Sequence, residues 1–277
     1  MPPPHLMRLP LWSKPPPPSR CFIQISGGLG NQLFQIAAAY AHSRRTGRTL
    51  LVSERNRSTR GTYWDTYLHK TKHLLLRRPT FELSSAAFCQ NGYHYEPIPA
   101  NKYSLHGYFQ SSKYFADYAD EIRTLFDPTD EIKDRVRSKY ADLLTDISAC
   151  ALVHIRRGDY VSGPLFHGIL GPDYYERAIR AAACDRLVVM SDDIAWCRTL
   201  PFLATATFVD EPVDHDALYL MTHFHKFVIS NSTFSWWASW LSTKANKCVI
   251  APDRWFGPKG PQDYQDVYES WWTTVPV

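Results

Sequence analysis

Between Cys21 and Ala251 the chain alternates between two hydrophobic periods, and this constrains the fold more than any other feature. Short apolar runs rich in β-branched residues, at 22–26, 50–53, 151–155, 187–191, 227–230 and 248–251, predict buried parallel strands. Between them lie helical stretches at 32–45, 111–125, 131–144, 174–183, 217–224 and 234–242. Strand–helix alternation predicts an α/β fold with ligands bound at the carboxyl ends of the strands. The strands fall into two groups on either side of the helical stretch near 111–146. Two Rossmann-like lobes facing a central cleft follow, with the N-terminal lobe over 21–146 and the C-terminal lobe over 147–277. Eight of the 20 prolines fall in the first 20 residues. Residues 1–20 are therefore expected to form an extended or disordered tail outside the fold.

Composition narrows the function classes. The net charge of +4 is too small to argue for a nucleic-acid partner, although it permits peripheral association with a membrane. No apolar run approaches the ~18 residues that a membrane span needs, and no secretory signal is evident at the N-terminus. A cytoplasmic location is the expectation. The six cysteines (21, 89, 150, 184, 197 and 248) contain no C-x-x-C pair and are expected to be buried, reduced thiols rather than a disulfide framework or zinc site.

Four segments placed just after strands carry residues suited to chemistry. Ser26-Gly27-Gly28-Leu29-Gly30-Asn31-Gln32 opens a long helix. Its glycines suit a tight turn, and its amides suit an anion or a sugar hydroxyl. The spacing is that of neither a dinucleotide fingerprint nor a phosphate-binding P-loop. His154-Ile155-Arg156-Arg157-Gly158-Asp159-Tyr160 places two arginines on opposite sides of an extended chain, one for the cleft and one to brace the fold. Guanidinium is the side chain best matched to a pyrophosphate. Ser191-Asp192-Asp193 offers a carboxylate either to guanine or as a helix N-cap. Ser230-Asn231-Ser232-Thr233-Phe234 makes a hydroxyl-rich helix start that forms an anion seat or a simple cap. Trp236, Trp237 and Trp240 follow helical spacing and are expected to pack the core. Asp214-His215-Asp216 has an acid-x-acid pattern that suits a divalent metal on a nucleotide diphosphate, but it reads better as the acidic first turn of a helix.

Taken together, Gly27–Gln35, His154–Val161, Ser191–Cys197 and Asn231–Leu241 resemble the α-1,2-fucosyltransferases of glycosyltransferase family 11 in order and spacing. The resemblance implies a GT-B fold and GDP-β-L-fucose as the donor. It also implies inverting, metal-independent transfer to the 2-hydroxyl of a terminal galactose on an oligosaccharide or glycolipid, with no cofactor. It places Arg157, Ser232, Thr233 and Phe234 at the leaving diphosphate, with Arg156 bracing the loop. Asp193 or Asp192 would read guanine, and His154 would hold the nucleotide side of its strand. Asn231, Gly28 and Gly30 would complete the donor site. Asn31 would face the fucose or the acceptor, and Asp159 and His154 are the expected general-base candidates. The chain departs from its relatives before Asn231, where Phe224 and Lys226 stand in place of a Cys and a His. An α-1,6-fucosyltransferase and a glycan-binding or adhesion module built on Arg157-Gly158-Asp159 are the alternatives.

Overall fold

The computed structural model describes residues 19–76 and 86–277, so the expected tail, apart from Ser19 and Arg20, lies outside the described residues. Two parallel sheets carry the fold. The first contains β1 (Arg20–Ile23), β2 (Thr49–Ser53), β3 (Leu75–Leu76), β4 (Ala87–Cys89) and β5 (Ser104–His106), in the order β3-β2-β1-β5-β4. The second contains β6 (Cys150–Ile155), β7 (Arg186–Ser191), β8 (Thr207–Val209), β9 (Lys226–Val228), β10 (Cys248–Pro252) and β11 (Thr273–Val275), in the order β11-β10-β9-β6-β7-β8. All six expected strands form. They bury enough Val, Ile and Leu to be stable on both faces, and every residue of β6 is buried.

Each lobe is wrapped by helices: α1 (Leu29–Thr46), α2 (Ala119–Leu125), α3 (Asp130–Lys139), α4 (Ala141–Thr145), α5 (Gly158–Ser162), α6 (Pro164–His167), α7 (Pro172–Ala182), α8 (Ile194–Cys197), α9 (Asp214–Met221) and α10 (Thr233–Leu241). The expected helix over 131–144 is broken at Tyr140, whose backbone (φ −117°, ψ 27°) is not helical. The expected helix over 111–125 is helical in the α sense only from Ala119, after two short 3₁₀ turns.

The lobes are not separately cored. Phe34 of α1 lies 4.4 Å from Trp236 and 4.9 Å from Trp237 of α10, and Phe115 stacks on Trp237 at 5.4 Å. One apolar cluster therefore runs from the first sheet through these aromatics to the second. The tryptophans pack the core, as their helical spacing indicates. Helix α3 docks on α9, where Arg135 Nε donates to the buried Asp216 carboxylate at 2.5 Å and Lys139 pairs with Glu211 at 2.7 Å. The helical stretch that separates the two strand groups in sequence thus binds the second lobe. All six cysteines are free, with Cys21, Cys150 and Cys197 buried, Cys89 exposed, and Cys184 and Cys248 half-buried. Expected burial therefore holds for three of them. No helix among the described residues is long and apolar enough to cross a membrane.

Candidate active site

Register brings three of the four segments together. Along β6, Ile155 pairs with Ser191 of β7 and Val153 with Val228 of β9, so the chain leaves all three strands at one level. The start of α1 faces these ends from the other lobe. Between them lies a cleft of about 930 Å³, lined by Gly28 and Asn31 on one side and by His154, Arg156, Asp192 and Thr233 on the other.

The two arginines divide their work in the reverse of the expected sense. Arg156 lines the cleft. Its Nη2 donates to Asp159 Oδ1 at 2.6 Å and its Nη1 lies 2.8 Å from Asp192 Oδ2, so two carboxylates fix the plane of its guanidinium. Arg157 turns away from the cleft. Its Nε donates to Asp193 Oδ2 at 3.0 Å, its guanidinium carbon sits 3.8 Å from the centre of the Trp196 ring, and its backbone N–H donates to Asp192 Oδ1 at 2.8 Å. Arg156 is thus the arginine that lines the cleft, and Arg157 packs against Trp196 and Asp193. Within the Arg-Gly-Asp triplet, Arg157 packs on Trp196 and Asp159 is paired with Arg156 and Arg60.

Both members of the acidic pair line the cleft and also make structural contacts. Asp193 is the N-cap of α8: Oδ1 accepts from the Trp196 backbone N–H at 3.1 Å while Oδ2 accepts from Arg157. The Trp196 amide and then Arg157 hold its carboxyl below the ordinary range. Asp192 lines the cleft, but its two oxygens serve Arg156 and the Arg157 amide. Both carboxylates of the expected guanine reader are thus engaged in holding arginines.

His154 is buried, with Nδ1 2.9 Å from Ser230 Oγ. Burial, reinforced by Arg156, pushes its pKa down to about 3, so the ring is a neutral hydrogen-bonding group and a poor proton acceptor. Burial alone would raise Asp159, but Arg156, with a further contribution from Arg60, outweighs it and holds the carboxyl below the usual range. Of the two expected bases, Asp159 is ionised and weakly basic, and His154 is not suited to the task.

At the start of α10, Ser232 is the N-cap, its Oγ accepting from the Phe234 backbone N–H at 3.3 Å. Thr233 and Phe234 follow into the cleft, and the Phe234 ring lies 5.8 Å from that of His154. Asn231 lines the cleft and also holds the loops around it. Its Nδ2 donates to the carbonyls of His167, Gly168 and Trp255 at 2.6, 3.0 and 2.9 Å, tying three loops together. Gly30 likewise serves packing rather than ligand contact. A Cβ there would lie 2.6 Å from the Thr233 backbone, so only glycine lets α1 meet α10 this closely. Gly28, the N-cap of α1, lines the cleft beside Asn31, whose Oδ1 accepts from Gln110 Nε2 at 3.0 Å.

Sequence patterning does not reveal the loop residues that complete the cleft. Arg60 of the first lobe reaches Asp159 of the second at 3.2 Å, and Tyr63 donates to Asp214. The Asp-His-Asp motif forms the first turn of α9, with Asp214 bound to Tyr63 and Asp216 to Arg135. Among the described residues no group of three or more His, Cys, Asp or Glu is arranged to hold a metal.

Two parallel-sheet lobes facing a cleft lined by Arg156 and the start of α10 make the GT-B type of fold. The apo form of POFUT1 has a similar fold, with a TM-score of 0.50 at 13% identity, covering 86% of this chain and 99% of that one. The chain belongs to glycosyl transferase family 11, whose model matches residues 17–275. It is 30% identical to an O-antigen biosynthesis glycosyltransferase, WbnK, of Escherichia coli, over 84% of this chain and 93% of that protein. It is 29% identical to an α-1,2-colitosyltransferase of the same organism, over 90% and 96%. Similarity extends to galactoside α-(1,2)-fucosyltransferase 2 of Oryctolagus cuniculus, 25% identical over 87% of this chain and 69% of that protein.

Proposed function

We propose that the protein transfers L-fucose from GDP-β-L-fucose, with inversion, to the 2-hydroxyl of a terminal galactose. The observation that carries this reading is Arg156. It is held in the cleft by Asp159 and Asp192 at the end of β6, while the start of α10 lines the same cleft beside it. Cleavage of the fucose–phosphate bond leaves negative charge on the diphosphate and positive charge on the sugar. Arg156, the Thr233 amide and the Ser232 and Thr233 hydroxyls would stabilise that leaving group without a metal, the Ser232 and Phe234 amides being taken up by the turn and its cap. His154 and Phe234, their rings tilted by 34° to each other, would supply an aromatic face and a neutral ring nitrogen on the nucleotide side.

The basicity of the cleft bears on the route. Asp159, Asp193, Asp214 and Glu211 all have lowered pKa values and are weak bases at neutral pH. A loose, oxocarbenium-like transition state follows, in which leaving-group stabilisation dominates and Asp159 receives the acceptor proton late. A GDP-linked colitose donor is a second reading, favoured by the similarity to the colitosyltransferase. The first test is nucleotide recognition. GDP at 100 times its Kd should stabilise the fold by about 2.7 kcal/mol and raise Tm by roughly 5–10 °C, whereas ADP and UDP should not. Equal protection by all three nucleotides would overturn the donor assignment.

A further inference from the structure

One wall of the cleft is aromatic from end to end. Tyr108 stacks on Tyr93 at 6.1 Å, Tyr93 meets Phe256 edge-on at 4.7 Å, and Phe256 meets Phe166 at 6.0 Å. Phe166 then meets His167 at 5.1 Å, and His167 stacks on Tyr160 at 4.5 Å. All six rings line the cleft. The row crosses from the first lobe to the second and ends on α5 and α6, where Val161, Leu165 and Phe166 are 50%, 51% and 45% exposed. Those three are most of the large apolar side chains left exposed among the described residues, the others being Val213 and Trp271.

The segment carrying this patch is fixed. Gly257 N–H donates to the Phe166 carbonyl at 2.9 Å and Lys259 N–H to the Leu165 carbonyl at 2.8 Å. A Cβ on Gly257 or Gly260 would come within 2.4 Å of those carbonyl oxygens, so the chain is built to let the loop clasp α6. A rigid apolar lip costs solubility and orders no core, and Phe166 joins it directly to the cleft.

We propose that the aromatic wall is the acceptor subsite and that the Val161–Leu165–Phe166 lip receives an apolar aglycone carried by the acceptor sugar. This rests on the transferase reading above. Aromatic faces suit the apolar face of a pyranose, and the polar donor side adjoins the Tyr160–His167 end of the wall, where the Arg156 guanidinium lies 5.5 Å from the centre of the Tyr160 ring and Asn231, just before α10, bonds the His167 carbonyl. An acceptor whose sugar sits on the rings would extend its aglycone over Phe166 onto Leu165 and Val161. The natural acceptor is then an amphiphile, a glycan joined to a hydrocarbon chain, rather than a free oligosaccharide.

The test compares methyl and octyl β-D-galactoside as acceptors, below micelle-forming concentrations, in wild type, Leu165→Ser and the Val161→Ser/Leu165→Ser double variant. Each methylene buried contributes about a fourfold gain, so partial coverage of an octyl chain should favour it by at least about tenfold in kcat/KM. The octyl-to-methyl ratio should fall toward one in the double variant, and because it is a ratio it is insensitive to the fraction folded. Phe166→Ala should raise KM for both acceptors while leaving the Kd of GDP unchanged. A ratio near one in wild type, or a wild-type ratio in the double variant, would overturn the aglycone assignment even with transfer intact. So would a change confined to self-association in sedimentation. Absence of both GDP binding and transfer would instead strike the transferase reading on which the proposal rests.

Discussion

Replacing Arg156 by lysine should reduce kcat about 100-fold with little loss of stability, whereas the same change at Arg157 should do the opposite. Arg156 supplies two donors to the cleft wall, and its plane is set by Asp159 at 2.6 Å and Asp192 at 2.8 Å. A fixed donor aimed at developing charge contributes about 3 kcal/mol, or 10²–10³ in rate. Lysine keeps the charge but loses the fork, and it cannot satisfy both carboxylates at once. Arg157 instead lies 3.8 Å from the centre of Trp196 and bonds Asp193. The cation–π contact is worth roughly 0.5–2 kcal/mol, and the charged hydrogen bond adds about 1 more after partial exposure. Lysine there should lower Tm by roughly 3–10 °C while kcat of the folded enzyme falls less than tenfold. Initial rates of GDP release, paired with thermal melts of both variants, read out the division. An Arg156→Lys enzyme that keeps more than a tenth of wild-type kcat would refute the reasoning. So would an Arg157→Lys enzyme that loses 100-fold at unchanged Tm.

Three further outcomes follow from particular contacts. Asp193→Asn should leave the Kd of GDP within about threefold of wild type, because its cap oxygen survives, while Asp193→Ala should cost about 1 kcal/mol in urea denaturation; a tenfold loss of GDP affinity in calorimetry would restore Asp193 as the guanine reader. His154 is held to about 3, far below its unfolded value near 6.5, so the unfolded state binds the extra proton and stability is lost as pH falls through that window. Between pH 7 and pH 5 wild type should lose about 2 kcal/mol more than His154→Gln, and equal slopes would contradict the burial of a neutral ring. Activity should survive EDTA if Arg156 and the start of α10, which line the cleft, take the diphosphate as proposed; collapse with recovery on manganese would turn attention to Asp214.

The long strands were legible because a buried parallel strand must be apolar on both faces, as Cys150–Ile155 is. Ser104–His106 and Thr207–Val209 were not, since they are too short and mixed to show a period. The arginine pair shows where local reasoning stopped short. Alternation told that one residue faces the cleft, and counting by two from His154 assigns that face to Arg156, as found. The family pattern by itself did not carry that parity. Asp193 and Asn231 line the cleft as expected, and the structural contacts they also make were illegible for one reason. A strand-end carboxylate or amide is equally good at capping a helix or tying loops, and which it does depends on neighbours brought in by the fold, Trp196 in one case and the His167 and Trp255 carbonyls in the other. Arg60 and the Tyr93, Tyr108 and Phe256 part of the aromatic wall come from loops without a repeating pattern, so only tertiary structure assembles them.

The central claim is tested most directly by determining the product. The enzyme is incubated with GDP-β-L-fucose and a β-galactoside in EDTA, and the isolated product is analysed by mass and by through-bond and through-space NMR. The account predicts one fucose added per galactose in an α-linkage to O2, with one equivalent of GDP released. An α-1,6 or other linkage, or GDP release without any glycoside formed, would contradict it.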